Sequence, residues 1–478
     1  VEKLSMYKVL KNHFKDEKIT LIYKENKSKL FLKMIYPFLK YFQNMLLVFK
    51  LVFLNSLTRI LFNQDELKNN SILVDTFITN GSVKNNVFIG TYYNNFLNQL
   101  SSVENEQIFY VPSLVSINDC YKTLSILKKS NQKFLFKEDY LLLFDYLKAF
   151  LFPFKSLKFI PKNMFIRNID FSPIFFELWY KNLTSLSSIN GILNFYFIRR
   201  LKKKKIKIKS FVNWFENQIC DKCYNYAFNI FYPNVKKSGY LVFFDSKFYT
   251  SLYPLKYEKI NNALPEKIYT SSYMFSDSIK EFCDDLDTNI ICSFRNNFVW
   301  NKRKIYPKKD QYTVLLTLSG VEIYRNEVLN LVNDINNFNP NVIFLVKLHP
   351  VDTIKSVKKS FNKNWPKNFV IVTEKFDTLI YKCNLLISSN STTLLDSISV
   401  GVPVIVVGSR SGLTQNPIPE KTCKSVYNLV YSKAEMYNSI IYFKDEFDSA
   451  KMNITFNDIR NKFYVKKSKD DLERLLNL

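Results

Sequence analysis

Short runs of apolar residues stand at 71–77 (SILVDTF), 86–90 (NVFIG) and 206–214 (IKIKSFVNW). Runs of this length predict strands buried on both faces. Longer stretches with helical spacing separate them, such as 137–152 and 185–201. That alternation predicts an α/β layer around a parallel sheet. The second half is patterned more tightly. QYTVLLTLSG (311–320) reads as a strand ending in small residues, and VEIYRNEVLNLVNDINNF follows with helical spacing. The strands NPNVIFLVKLHP, NFVIVTE, NLLISS and VPVIVVG then alternate with a Lys-rich helix and the helices FDTLIYKC and TTLLDSISVG. Five strands alternating with helices predict a doubly wound nucleotide-binding domain.

The pattern divides the chain into a helical, basic-apolar extension (1–68), a first Rossmann-like domain (69–254), a linker with irregular elements (255–305) and a second Rossmann-like domain ending in helices (306–478). The opening VEKLSMYKVLKNHFKDEK is charged and lacks the apolar core of a signal peptide. Residues 31–62 are apolar but interrupted by Lys33, Lys40, Lys50 and Arg59. No clean apolar window of about 18 residues exists, so a membrane-crossing helix is not expected. Two readings stay open: a basic, aromatic amphipathic helix on a membrane surface, or a buried helix of the first domain.

Composition adds a charge question. The 478 residues carry a net charge of +26, with a pI near 9.5. An anionic partner would explain this: nucleic acid, membrane or a phosphorylated substrate. So would a coding bias toward Lys, Asn, Ile, Phe and Tyr. A nucleic-acid binder would interleave exposed aromatics with Lys and Arg. Here Phe and Tyr fall mostly in apolar runs, so nucleic acid is not expected as a partner. Seven cysteines are scattered, and Cys220 and Cys223 form a lone CxxC with no second pair and no nearby His. A zinc site is not expected, and a reducing cytoplasm fits.

Candidate chemistry concentrates at strand ends of the second domain. NLLISS ends in Ser388 and Ser389; Asn390, Ser391, Thr392 and Thr393 then occupy the turn and the start of the next helix. Hydroxyls, free backbone N–H groups and the positive end of a helix together favour a phosphate. Asp396 follows within about a turn, where a carboxylate could accept ribose hydroxyls. Gly401-Val402-Pro403 reads as a helix stop. FLVKLHP ends a second strand with Lys347 and His349, candidates to ligate or neutralise phosphate oxygens. Ser319-Gly320 ends a third, where backbone N–H groups could meet the same ligand. Neither a P-loop nor a GxGxxG is present.

The order LTLSG…VKLHP…ISSNSTTLLDSISVGVPVIVV resembles the C-terminal domain of GT-B glycosyltransferases. More narrowly, the chain resembles a family of bacterial surface carbohydrate biosynthesis proteins, similar to capsule and lipopolysaccharide transferases and to CDP-glycerol glycerophosphotransferases. VNWFENQICDKCYNYAFNIFYPN looks like that family's Trp-x-Glu-Asn-Gln segment, and Ser238-Gly239-Tyr240 like a reduced Gly-Tyr-Gln stretch. YPLKYEKINNALPEKIYTSS looks like the passage into the C-terminal domain. The resemblance covers about 70–470. It implies a GT-B-like α/β fold, two Rossmann-like doubly wound domains facing across a cleft. It implies donor phosphates at His349, Ser391 and Thr392, a ribose or base contact from Asp396, and a catalytic or acceptor-side carboxylate at Glu216. SGYLVFFDSKF lacks the Gln and Gly expected after Tyr240, so acceptor chemistry is the less determined part.

The function expected is sugar transfer from a nucleotide-activated donor to a surface polysaccharide acceptor, glycan or lipid-linked glycan. Fixed positive groups would stabilise the leaving nucleoside phosphate with no metal and no resident cofactor. No DxD stands at a strand end; Asp284, Asp285 and Asp287 lie in the linker. The location expected is cytoplasmic, peripheral to the inner face of the membrane, whose lipids are anionic. Two alternatives remain: a glycerol- or ribitol-phosphate transferase on the same fold, and a non-catalytic nucleotide-binding scaffold in glycan assembly.

Overall fold

The computed structural model describes residues 8–9, 27–62, 67–90, 92–93, 100–242, 248–301, 312–335, 342–361, 364–410, 412–419 and 422–478. The opening charged stretch lies almost wholly outside the described residues, as do 243–247 of SGYLVFFDSKF and nearly all of NKRKIYPKKD.

Six strands make the first sheet: β1 (Ser71–Ile78), β2 (Ile108–Leu114), β3 (Ile208–Trp214), β4 (Lys236–Leu241), β5 (Lys267–Thr270) and β6 (Asp287–Ile290). All neighbours are parallel, in the order β6-β5-β4-β3-β1-β2. The apolar runs at 71–77 and 206–214 are the adjacent interior strands β1 and β3, and their burial on both faces is what made them legible. The 86–90 run is different. Val87–Phe88 pairs antiparallel with Val83–Lys84 in a hairpin outside the sheet. Neither edge strand is among the apolar runs named above, although β2 opens with IFYV, buried on both faces. β2 carries Pro112, tolerated because a sheet edge needs no donor on its outer side. β6 is mostly polar, as an exposed edge should be.

The second sheet contains β7 (Tyr312–Thr317), β8 (Val342–Lys347), β9 (Phe369–Val372), β10 (Leu385–Ser388), β11 (Val404–Val407) and β12 (Tyr427–Val430). It too is parallel, in the order β9-β8-β7-β10-β11-β12. β12 is a sixth strand beyond the five expected. Each sheet has one point where strand order reverses, between β1 and β3 in the first and between β7 and β10 in the second. At such points the flanking loops diverge and open a crevice at the carboxyl edge.

Two findings revise the division of the chain. The stretch 255–305, expected as a linker, supplies β5 and β6 to the first sheet. The last helix, Lys469–Leu476, expected with the second domain, packs on the first sheet instead. There the Ser210 hydroxyl donates to the Leu476 carbonyl at 2.6 Å and the Tyr269 hydroxyl to the Arg474 carbonyl at 2.9 Å. One apolar core runs between the domains, joining Phe215 and Ile268 of the first to Leu315, Leu386 and Leu395 of the second. Phe456 and Phe463 of the helix Asn453–Phe463 complete it. The architecture is α/β and GT-B-like: two doubly wound domains, with a long helix, Lys27–Leu61, lying against the first.

Candidate functional site

The carboxyl edge of the second sheet brings most of the sequence candidates together. β7 runs into Leu318-Ser319-Gly320, β8 into Leu348-His349, and β10 into Ser389-Asn390-Ser391-Thr392 ahead of the helix Thr393–Ser399. Gly320 is a packing requirement: a Cβ there would stand 2.9 Å from His349 Nδ1. The glycine lets the imidazole lie flat against the turn. The hydroxyls form a network of their own. Thr393 Oγ1 lies 2.8 Å from Thr317 Oγ1 and donates to Ser391 Oγ at 2.9 Å. Ser388 Oγ donates to the Thr317 carbonyl at 2.7 Å, and the Val321 N–H donates to Ser319 Oγ at 3.1 Å. Ser319, Ser388 and Thr393 therefore brace the edge, whereas Asn390, Ser391 and Thr392 stay half-buried beside exposed Gly320 and His349. Gly401 adopts φ 84° and its N–H bonds the Ile398 carbonyl at 2.9 Å, stopping the helix where the sequence predicts.

His349 is held in one electrostatic form. The Val351 N–H donates to its Nδ1 at 3.4 Å, which leaves the proton on Nε2. Partial loss of water, with the nearby Arg325 and Arg295 guanidiniums, pulls its pKa below the usual imidazole value against the pull of Asp352. With no anion bound, these groups favour the uncharged ring, whose Nε2–H is a donor; an anion seated there would pull the pKa back up.

The positive charge comes from Arg295, a residue the sequence analysis passed over. It follows β6 in the segment read as a linker, and it is exposed. Its guanidinium lies 5.7 Å from the centroid of the Tyr92 ring, and its charge reaches His349 and Asp396. Among the described residues no carboxylate pairs with it. A signal did exist: arginine is scarce here, 10 of 68 basic residues, and this one directly follows the run IICSF.

Two candidates are placed away from the open edge. Lys347 Nζ donates to the Glu374 carbonyl at 2.6 Å, on the β9 side of the sheet. Asp396, expected to accept ribose hydroxyls, is buried at 4% exposure. Its Oδ1 accepts from Asn296 Nδ2 at 2.8 Å and from the Tyr464 hydroxyl at 2.5 Å. Burial pushes its pKa up to about 6, against the lowering effect of Tyr464, Arg295 and Asn296. It ties the helix Thr393–Ser399 to the segment that follows β6.

Glu216 sits just past β3, at the reversal point of the first sheet. The Trp-x-Glu-Asn-Gln segment proves to be a clamp on its own carboxylate. Trp214 Nε1 donates to Glu216 Oε1 at 2.8 Å and Gln218 Nε2 to Oε2 at 2.7 Å. Asn217 takes the left-handed φ of 55° that Asn tolerates, and its amide donates to the Ser251 and Tyr253 carbonyls. Asp221 Oδ2 accepts the N–H groups of Glu216 and Gln218 at 2.9 and 3.0 Å, and burial lifts its pKa to about 7. Tyr92 links the two halves of the site. Its ring packs on Trp214 at 4.7 Å and beneath Arg295, and it feels the charges of both Glu216 and Arg295. Cys220 and Cys223 are free thiols whose pKa burial raises to about 12.

No family model and no curated protein matches the sequence. Among solved structures, 85% of the chain is similar to 95% of MnaA from S. aureus in a co-structure with UDP, at 10% identity and a TM-score of 0.47. UDP-GlcNAc 2-epimerase from Neisseria meningitidis bound to UDP-GlcNAc is matched over 85% of this chain and 100% of that one, at 12% identity and a TM-score of 0.48. For the alpha,alpha-trehalose 6-phosphate synthase from Burkholderia multivorans the figures are 86%, 98%, 8% identity and 0.47.

Proposed function

We propose that the protein transfers a sugar from a nucleotide-activated donor to a hydroxyl of a surface polysaccharide acceptor of the O-antigen or capsule type. The observation that carries this reading is the seating of neutral His349 on Gly320 at the edge of the second sheet, within electrostatic reach of Arg295 from the first domain. Together they supply a hydrogen-bond donor and a fixed cation to one crevice. A donor diphosphate there would meet His349 Nε2–H, the Ser391 and Thr392 hydroxyls and the Arg295 guanidinium. As the bond from the sugar carbon to the phosphate oxygen breaks, negative charge builds on the leaving nucleoside diphosphate. Groups already oriented toward it lower that barrier. With Arg295 in this role the reaction needs no metal ion.

Across the crevice Glu216 would take the proton of the acceptor hydroxyl as its oxygen bonds the sugar carbon. A general base must be held in place and partly desolvated, and the Trp214 and Gln218 donors orient this one. The test is nucleoside diphosphate release from a panel of nucleotide sugars, with and without glycan acceptor. One sugar nucleotide should be cleaved, about 100-fold more slowly by Glu216→Gln, with nucleotide affinity retained. Release of CMP from CDP-glycerol or CDP-ribitol, with no diphosphate released from any sugar nucleotide, would replace the sugar with a polyol phosphate. Nucleotide binding without any release would reduce the protein to a scaffold.

A further inference from the structure

From Ile35 onward the helix Lys27–Leu61 turns large apolar side chains to solvent and holds polar anchors among the apolar residues of its inner face. Its inner stripe follows a spacing of four and three residues: Tyr41, Asn44, Val48, Leu51, Asn55 and Thr58. Three of these six are polar, and the stripe is fastened by hydrogen bonds. Asn44 Nδ2 donates to the Thr184 carbonyl at 3.1 Å, Asn55 Nδ2 to Asp139 Oδ1 at 2.9 Å, and the Tyr41 hydroxyl to the Phe150 carbonyl. The outer face is apolar as well. Phe42, Leu46, Phe53 and Ile60 all point to solvent, Leu46 at 69% and Ile60 at 83% exposure. A helix on a water-soluble surface normally turns a polar face outward.

The neighbouring helix Leu143–Lys155 also turns a large apolar face outward. Its buried face packs Tyr146, Ala149 and Phe150 and holds Asp145, bound to Arg200 Nε at 2.7 Å, yet Leu143, Phe144, Leu147 and Phe154 are exposed on the other side. The two helices touch through Phe49 and Phe150, at 5.2 Å between ring centroids. Beyond them Phe159, Phe165 and Ile166 continue the exposed apolar surface. Contiguous apolar area of this kind marks an interaction site. The helix is also long and apolar enough to cross a membrane by length and composition, over Ile35–Leu61. Its bonded inner stripe lays it along the domain instead.

Charge selects the partner. No Asp or Glu occurs between Lys27 and Leu61, and Asp145 is the sole acid between positions 140 and 168. The outward charges are cations, among them Lys40, Lys50, Lys155 and Lys158. A second copy would set lysines against lysines, because a two-fold interface pairs a patch with itself. We infer that this face inserts into the interfacial region of an anionic lipid bilayer, with aromatic and Leu side chains among the acyl chains and the lysines at the phosphates. The inference stands without the transferase reading, since it needs neither donor nor acceptor.

The test is sedimentation of the full chain with neutral phosphatidylcholine vesicles and with vesicles that also contain phosphatidylglycerol. The wild type should sediment with the anionic vesicles and dissociate as salt rises. Phe42→Glu combined with Leu46→Glu, and separately Phe144→Glu, should weaken partition about tenfold or more. Their circular dichroism and melting should stay as wild type, because all three side chains are already exposed. A wild-type chain left in the supernatant with anionic vesicles would overturn the inference. So would variants that bind as wild type. A dimer seen by light scattering that the variants dissociate, with no vesicle binding, would assign the face to a second copy and equally overturn it.

Discussion

Trp214 and Gly320 show how single residues set this site. Trp214 Nε1 is one of two donors that fix the Glu216 carboxylate. Trp214→Phe should therefore lower turnover by about tenfold or more while leaving nucleotide affinity as it was, measured as kcat against the inhibition constant of the nucleotide. Gly320→Ala places a methyl 2.9 Å from His349 Nδ1. The ring must move, so nucleotide affinity should fall several-fold with little change in melting temperature; calorimetric titration checks it. Legibility differed among such residues for physical reasons. His349 and the Ser391–Thr392 pair could be read because strand ends and hydroxyl-rich turns leave a local signature. Arg295 carried only the weak signal of its rarity, because its position matters only where the end of β6 meets the second sheet. Asp396 was misread for the reverse reason. Its position on the helix was clear, but its partners Asn296 and Tyr464 are distant in sequence.

At the scale of elements, long apolar runs such as those of β1 and β3 announced themselves, whereas β6, a polar edge, and β4, which opens on two lysines, did not. The helix Thr393–Ser399 was legible at both ends, because a stop glycine is a local necessity. Gly401 holds φ 84°, which a side chain disfavours by about 1–2 kcal/mol. Gly401→Ala should lower unfolding stability by about that amount in a denaturant titration. The N-terminal helix was legible as an apolar stretch but not as one with an apolar outer face. Which face is bonded depends on Asp139, Phe150 and Thr184, all far along the chain.

Asp396 is a polar tie beside the apolar core that joins the domains, and it adds a pH-dependent contribution to stability. Burial raises the native pKa of Asp396 to about 6, above the ordinary value of 3.8. Between those values the native state holds the proton more tightly than the unfolded chain. Stability should then fall as pH rises from about 4 to 6 and level off above. Asp221, raised to about 7, acts in the same direction and extends the fall. Asp396→Asn keeps an acceptor for Asn296 and Tyr464 but removes one titration. The slope should flatten by up to about 1.4 kcal/mol per pH unit in that window, read from denaturant midpoints across pH. A slope unchanged by the substitution would show that the buried carboxylate does not titrate there.

The central claim is that a nucleotide diphosphate binds between the His349 edge and Arg295. Thermal unfolding of the wild type, His349→Ala and Arg295→Ala with UDP, GDP, CMP, CDP, ADP and dTDP tests it most directly. A ligand at about 100 times its dissociation constant stabilises by roughly 2.7 kcal/mol, a readily seen shift in melting temperature. The wild type should show such a shift with one nucleotide, and both variants should lose it. A folded wild type that no nucleotide stabilises, or a shift that survives both substitutions, would contradict it.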